Sequence, residues 1–206
     1  SVFIFYLKNN YFFIFFIGKN KIDNLNRKII HIVSAIIICF FPYFLSVGQI
    51  VALSLIFSFI FLISKYLGFL PIINRVKRVS LGEVFYPLGV MISSLIFLTQ
   101  GETTAFQFGV LVLGFSDALA NILGDLYGRH RINFSWGGKS LEGSLAFLLS
   151  TFLILFSING GSDHPFQLVN YLFLSLVLTI LELILFFCLD SLFLPTVASY
   201  LFIILF

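Results

Sequence analysis

Ile29-Ile-His-Ile-Val-Ser-Ala-Ile-Ile-Ile-Cys-Phe-Phe-Pro-Tyr-Phe-Leu-Ser-Val47 is followed, after a single glycine, by Gln49-Ile-Val-Ala-Leu-Ser-Leu-Ile-Phe-Ser-Phe-Ile-Phe-Leu-Ile-Ser64. Neither run contains an acid, a lysine or an arginine. A helix that crosses the hydrocarbon core of a bilayer needs roughly 20 mostly apolar residues, and as few as about 17 when short. Both runs are near that length. Further runs of the same kind lie at 84–99, 105–126, 144–158, 168–187 and 191–206, with a weaker one at 2–18. The expected fold is therefore an all-α integral membrane bundle of about seven or eight transmembrane helices. No composition shift, low-complexity segment or internal repeat divides residues 1–206, so one polytopic membrane domain is expected.

Composition leads to the same conclusion. The chain is 60% hydrophobic and 10% charged, and 29 of its 206 residues are Phe. A soluble domain carries about 25% charged residues. With a mean hydropathy of +1.09, a chain this small has too much apolar surface to hide from water. Its net charge of +3 is too small to suggest a nucleic-acid partner. Cys39 and Cys188 both lie in apolar runs and read as buried apolar residues, not a disulfide. The first run, interrupted by Lys8 and Asn9-Asn10, lacks the basic start and small-residue cleavage site of a signal peptide. The chain starts at Ser1, and its last apolar run reaches Phe206 without a polar tail. A longer protein that extends past one or both ends is the expectation.

The basic residues orient the spans. Lys19, Lys21, Arg27 and Lys28 fall in one connection, Lys65, Arg75, Lys77 and Arg78 in the next but one, and Arg129, Arg131 and Lys139 in the next but one again. The connections near 42–48, 100–104 and 159–167 contain no Lys or Arg. With alternating spans, eleven of the twelve basic residues share one side. The positive-inside rule makes that side cytoplasmic, including the 127–142 loop. Asn133-Phe134-Ser135 fits the glycosylation pattern, but on this topology it carries no glycan.

Chemistry is concentrated between 114 and 144. Asp117 falls inside an apolar run, where an acid costs several kcal/mol unless paired, hydrated or neutral, and so marks a functional site. Asp117, Asn121, Gly124 and Gly128 follow at spacings of 4, 3 and 4, on one helical face. Ser116 and Ala120 lie beside it. The glycines alone would suit close helix packing. Packing needs no carboxylate, however, whereas a metal–phosphate site needs oxygen ligands and room for backbone approach.

Gly137-Gly138-Lys139-Ser140 then leads into Glu142-Gly143-Ser144 and the next span. Glycine backbone N–H groups can wrap an anion, and Lys139 offers a compact positive charge to phosphate. Ser140 and Glu142 can cap the incoming helix and offer oxygen to Mg²⁺, and the N-terminus of that helix favours an anion. The first Gly of a Walker A spacing is missing. A polar turn with an interfacial lysine is the bland reading of the loop taken alone. With Asp117 at the same membrane face, it reads as a nucleotide-phosphate site.

Asp117-Ala-Leu-Ala-Asn-Ile-Leu-Gly-Asp-Leu-Tyr-Gly128, followed by Gly138-Lys-Ser-Leu-Glu-Gly-Ser144, resembles the signature of the dolichol kinase/phytol kinase family. That family includes CTP-dependent diacylglycerol kinases and is distantly similar to phosphatidate cytidylyltransferases. Weaker likenesses extend the resemblance over about 27–200: Arg27-Lys-Ile-Ile-His31, Ser80-Leu-Gly-Glu-Val-Phe-Tyr-Pro87, Glu182, and Asp190-Ser-Leu-Phe-Leu-Pro195. Three positions depart from the pattern. Ser116 stands where the family usually has Gly, Asn121 replaces an acid found in some members, and Ser191 replaces an Asn.

The resemblance implies a lipid-alcohol kinase that uses CTP, or another nucleoside triphosphate, with Mg²⁺. On that reading Asp117, Asn121 and Glu142 are metal ligands. Gly124, Gly128, Gly137, Gly138, Lys139, Ser140, Glu142 and Gly143 hold nucleotide. Asp117, Lys139 and Glu83 are the catalytic candidates, with Asp117 and Glu83 the choices for a general base. Arg27, His31, Glu182 and Asp190 contact substrate or support the site. The partners are a lipid alcohol, a nucleoside triphosphate and membrane lipids.

Plainer roles stand beside these. Arg27, Lys28 and His31 share a face and could be a basic interfacial anchor. Glu83 has capping-box spacing from Ser80, Glu182 within its span suggests a polar pair, and Asp190 could cap a helix. Two other functions also remain open: synthesis of a CDP-lipid by a cytidylyltransferase-like reaction, or a small non-enzymatic transporter or scaffold built on Gly124 and Gly128. The late His-Gly-Gly…Asp-Arg-x-Asp stretch of phosphatidate cytidylyltransferases is not in this sequence.

Overall fold

In a computed structural model, the structure describes residues 19–67, 82–134, 137–159, 165–185 and 189–206. The weak apolar run at 2–18, the basic residues Arg75, Lys77 and Arg78, Ser80, Ser135 and Cys188 lie outside them.

Helices α1 (Lys19–Phe44) and α2 (Val47–Leu67) come first, then α3 (Gly82–Phe97) with a 3₁₀ turn at Leu98–Gln100. Next is one continuous rod made of α4 (Thr103–Leu111), a π-helical turn (Val112–Ser116) and α5 (Asp117–Tyr127). A two-stranded hairpin, β1 (Arg131–Phe134) and β2 (Gly137–Ser140), leads into α6 (Leu141–Ile158), α7 (Pro165–Ile184) and α8 (Leu189–Leu205). Among the described residues, and counting the rod once, six helices are long and apolar enough to span a membrane, and α8 is a shorter apolar helix. This is a multi-pass membrane protein.

Local chemistry sets the boundaries. α1 begins well before the apolar run at Ile29, because hydropathy detects the lipid-embedded part of a helix and not its polar first turns. The break before α2 is a reciprocal cap. The Ser46 N–H donates to Gln49 Oε1 at 2.9 Å, and Ser46 Oγ accepts from the Gln49 N–H at 3.4 Å. Gly101, at φ +84°, turns the chain between α3 and α4, in a conformation open to glycine.

The rod lies at the centre, packed on α1, α3, α6 and α8. Large apolar side chains point outward, among them Ile36, Phe40, Phe59, Leu145, Leu149 and Leu153. Small hydroxyl residues point inward: Ser93, Ser94, Ser116, Thr151, Ser175 and Ser199 are buried. Lipid is as apolar as Leu, so helices associate through close packing and hydrogen bonds between small residues. Glycines permit that approach. A Cβ on Gly89 would stand 2.3 Å from the Ser191 carbonyl oxygen of α8, and one on Gly109 would stand 2.2 Å from Ser199 Oγ of the same helix.

Helix direction alternates, so chemistry collects at one end. The starts of α1 and α3 meet through Arg27 and Glu83, and the start of α6 meets the end of α7 through Lys139 and Glu182. At the opposite end Gln107 Nε2 donates to the Cys39 carbonyl at 2.8 Å and to Tyr43 Oη at 3.3 Å, joining α4 to α1. Cys39 is a buried free cysteine.

Candidate active site

Asp117 opens α5 directly after the π-turn. Such a turn adds a residue to the helix, and π-bulges frequently sit at functional sites. Its carboxylate is 3% exposed and held from two sides. Lys28 Nζ of α1 donates to Oδ2 at 2.7 Å, and Asn121 Nδ2, one turn on, donates to Oδ1 at 2.9 Å. The acid is therefore inside the bundle, facing a lysine, and not among acyl chains. α1 reaches it because Gly114, in the π-turn, has no side chain: a Cβ there would lie 2.1 Å from Ala35 Cβ. Behind the acid, Thr151 Oγ1 donates to Ser116 Oγ at 3.1 Å and ties α6 to the rod.

Beside this pair is a small polar cavity of about 90 Å³ between α5, α6, α7, α8 and the hairpin. Asn121, Gly124 and Asp125 line it from α5, Gly138, Lys139 and Ser140 from β2, and Gly143 and Ser144 from α6. Arg131, Glu182 and Asp190 complete it. Lys139 Nζ reaches across to α7, where it donates to Glu182 Oε1 at 2.5 Å and to the Glu182 backbone carbonyl. Glu182 Oε2 is buried with no hydrogen-bond partner among the described residues. Lys28 and Lys139 are both within electrostatic reach of Asp117 and of Asp190. The cavity lining thus combines Lys139 and Arg131 with the carboxylates of Asp125, Glu182 and Asp190 and with glycine backbone.

Its glycines are sites of close approach. A Cβ on Gly124 would stand 2.7 Å from Ser140 Oγ, and one on Gly143 would stand 2.6 Å from the Ala120 carbonyl oxygen. Ser140 caps α6 by accepting from the Gly143 N–H at 3.1 Å. The packing role of the glycine stripe is therefore real, and it is what brings α5 against the Lys139 strand.

Several expectations are corrected. The Gly137-Gly138 segment is a hairpin strand, not an open loop: Gly137 pairs with Phe134 and Gly138 with Asn133. Gly138 lines the cavity, and Gly128 is not among the lining residues. Gly128 lies past the end of α5, against Ser140. Glu142 does not line the cavity either. It points back along the chain, where its Oε1 accepts from the backbone N–H of Arg129 at 3.1 Å and of His130 at 3.2 Å and faces His130 Nδ1 at 3.0 Å. An acid in the first turn of a helix is drawn to such unpaired N–H groups, so Glu142 secures the turn before the hairpin. Glu83 forms an ion pair with Arg27 at 2.9 Å, away from the polar cavity. His31 stacks on Tyr86 with ring centroids 4.7 Å apart. Asp190 accepts from the Ser191 N–H at 2.6 Å, as a residue at a helix start does, and also lines the cavity.

Three cavity or pairing residues were not among the expected site residues: Lys28, Asp125 and Arg131. Lys28 had a usable signal. A buried acid needs a nearby cation, and Lys28 is the last basic residue before the first long apolar run.

Comparison with known proteins gives this arrangement a family. Over 132 residues, 63% of this chain and 56% of the relative, it is 33% identical to a phytol kinase of Synechocystis. It is 30% identical over 145 residues to an uncharacterized protein of Methanocaldococcus jannaschii, covering 65% of this chain and 72% of that protein. With the dolichol kinase of Schizosaccharomyces pombe it shares 42% identity over 77 residues, 36% of this chain and 14% of that one. No protein-family model matches the chain, and no solved structure does. The chain belongs to the dolichol kinase/phytol kinase family. It spans just over half the length of the phytol kinase it matches.

Proposed function

We propose that this protein is a membrane lipid-alcohol kinase that transfers the terminal phosphate of CTP, or of another nucleoside triphosphate, to the hydroxyl of a polyprenol, a phytol-like alcohol or a diacylglycerol. The observation that carries the reading is the polar cavity at the basic end of an otherwise apolar bundle, where Lys139, glycine backbone and carboxylates face one another. Relatives named phytol kinase and dolichol kinase support the reaction class. The hairpin side, with Arg129, Arg131 and Lys139, is proposed as cytoplasmic, where nucleoside triphosphates are available.

Mg²⁺ fits the residues present. Among the described residues no group of three or more His, Cys, Asp or Glu is gathered for a metal. Mg²⁺ bound with a nucleotide needs only one or two carboxylates, since phosphates and waters fill its other positions. Asp190 and the unpartnered Oε2 of Glu182 are suitable donors, with Asn121 beside them. Bound there, the cation would neutralise phosphate charge. Asp117, with both oxygens engaged, is better suited to fixing Asn121 at the cavity wall and pairing with Lys28 behind it than to direct coordination.

In the transfer, the lipid oxygen forms a bond to the terminal phosphorus as the bond to the bridging oxygen breaks. The nucleoside diphosphate leaves, and the hydroxyl proton passes to a base or to water. Such transfer depends on positioning and on stabilising charge. Lys139 meets the incoming phosphates by exchanging one of its contacts to Glu182, and the Gly138 and Gly143 backbone allows close approach. The test is incubation of the purified protein with Mg²⁺, nucleoside triphosphate labelled on the terminal phosphate and a panel of lipid alcohols. The expected result is label in the lipid. Label found only in released pyrophosphate would instead indicate cytidylyl transfer and overturn the reading.

A further inference from the structure

The two cations that line the polar cavity stand differently. Lys139 is committed: Glu182 of α7 holds its Nζ through Oε1 and through the backbone carbonyl. Lys28, behind the wall, is likewise held by Asp117. Arg131, on β1, lines the cavity too, but its guanidinium takes part in no ion pair or hydrogen bond among the described residues. The lining carries three carboxylates, those of Asp125, Glu182 and Asp190, and none of them pairs with it. Arg131 is exposed, whereas Glu182 is 4% exposed. A committed lysine thus reaches inward, and an uncommitted guanidinium stands at the water-facing side of the same cavity.

The hairpin leaves room beside that guanidinium. Arg131 pairs directly with Ser140, so both side chains leave the same face of the ladder. Gly138, two residues back along β2, presents that face without a side chain. An anion lying across Gly138 would have the planar fork of Arg131 along one side, a geometry suited to gripping two phosphate oxygens at once.

Depth decides which phosphates these are. A nucleoside triphosphate arrives from water, and its terminal phosphorus has to meet an acceptor held in the bilayer. The terminal phosphate therefore goes inward, toward Lys139. The diphosphate that will leave stays outward, beside Arg131.

We infer that Arg131 binds the diphosphate part of the nucleotide and so sets affinity for the nucleotide substrate and the nucleotide product alike. This rests on the kinase reading for which phosphate is which, but not for anion binding by Arg131. An interaction made equally before and after transfer lowers KM and leaves kcat alone.

The experiment measures equilibrium binding of CTP and CDP, each with Mg²⁺, to the purified full chain in detergent. ATP and ADP are run in parallel, and the pair that binds the wild type is the one compared. Dodecyl phosphate serves as a lipid-phosphate probe. Arg131→Gln should weaken triphosphate and diphosphate by the same factor, about tenfold or more, as for loss of a hydrogen bond to a charged group. Dodecyl phosphate binding and the unfolding midpoint should not move, and KM should rise with little change in kcat. Arg131→Lys keeps the charge and loses the fork, so it should lie between. Should Arg131→Gln fail to fold, Arg131→Lys decides, with equal partial losses expected. Three results would overturn the inference: no loss of diphosphate affinity, a loss for triphosphate alone, which puts Arg131 on the terminal phosphate, or a loss for dodecyl phosphate in place of the diphosphate, which makes it a lipid-headgroup contact. Absence of binding by either nucleotide pair to the wild type would overturn it as well. Matched losses for triphosphate and diphosphate, with no label reaching any lipid alcohol, would keep the role of Arg131 and reject the kinase reading.

Discussion

The small polar cavity and the larger apolar one between α1, α2 and α3 are built by opposite rules. The small one is walled by charge and backbone, and nearly every polar group in it already has a partner: Lys139 with Glu182, Ser140 with Gly143, Asp190 with Ser191. The large one is walled by Ile, Leu, Val and Phe, with its polar groups confined to one end. A buried ion pair is weak evidence for stability, because desolvation offsets much of its attraction. A membrane protein that keeps three such pairs at one end therefore has a use for charge there. The apolar cavity has the reverse logic, since apolar walls facing lipid add no driving force for folding.

Breaking one side of this contrast at a time should separate stability from chemistry. The largest effect is expected for Lys28→Met, which strands the Asp117 carboxylate inside the bundle. Loss of one partner of a buried pair costs about 3–5 kcal/mol, readable as a lower midpoint of thermal unfolding in detergent. The double change Lys28→Met with Asp117→Leu should recover much of that stability and still be inactive. Lys139→Ala leaves the buried Glu182 carboxylate without its cation, so it should also lower the unfolding midpoint, by less than Lys28→Met because Lys139 is the more exposed lysine, and it should lower phosphate transfer of the folded protein by about 10²–10³, the typical loss of one positioned charge-stabilising donor. Gly143→Ala is next. Its new Cβ would press on the Ala120 carbonyl, and overpacking of this kind costs about 1–3 kcal/mol, so unfolding temperature and transfer rate should fall together. Glu142→Gln should do least, staying within about fivefold of wild-type transfer, because its carboxylate serves an exposed turn.

Much of the architecture was legible in the sequence because lipid imposes a simple rule: apolar runs of sufficient length become spans. The runs at 29–47, 49–64 and 144–158 each lie within or close to an observed helix. The stripe from Asp117 to Gly124 also lay on one face as its spacing required, because an α-helix fixes where residues three and four apart point. The pairing across helices was not legible. Nothing in the spacing of Lys28 and Asp117, 89 residues apart, announces that they touch. What Glu142 meets was not legible for a related reason: the helix start places it, but the turn before the hairpin, which no apolar periodicity signals, supplies its partners. The short β-ladder from Arg131 to Ser140 is formed by backbone pairing, which side-chain patterns do not signal, and its glycines looked like a loop.

The central claim is that nucleotide phosphates occupy the small polar cavity and not the apolar one between α1, α2 and α3. Photolabelling of the purified protein with a Mg²⁺–nucleoside triphosphate bearing an azide on its base, followed by peptide mapping, tests it most directly. Label is expected on the peptides that carry 120–125 and 138–144, displaced by unlabelled nucleotide and strongly reduced in Lys139→Ala. Label confined to α1–α3, or binding unchanged by Lys139→Ala, would contradict the account.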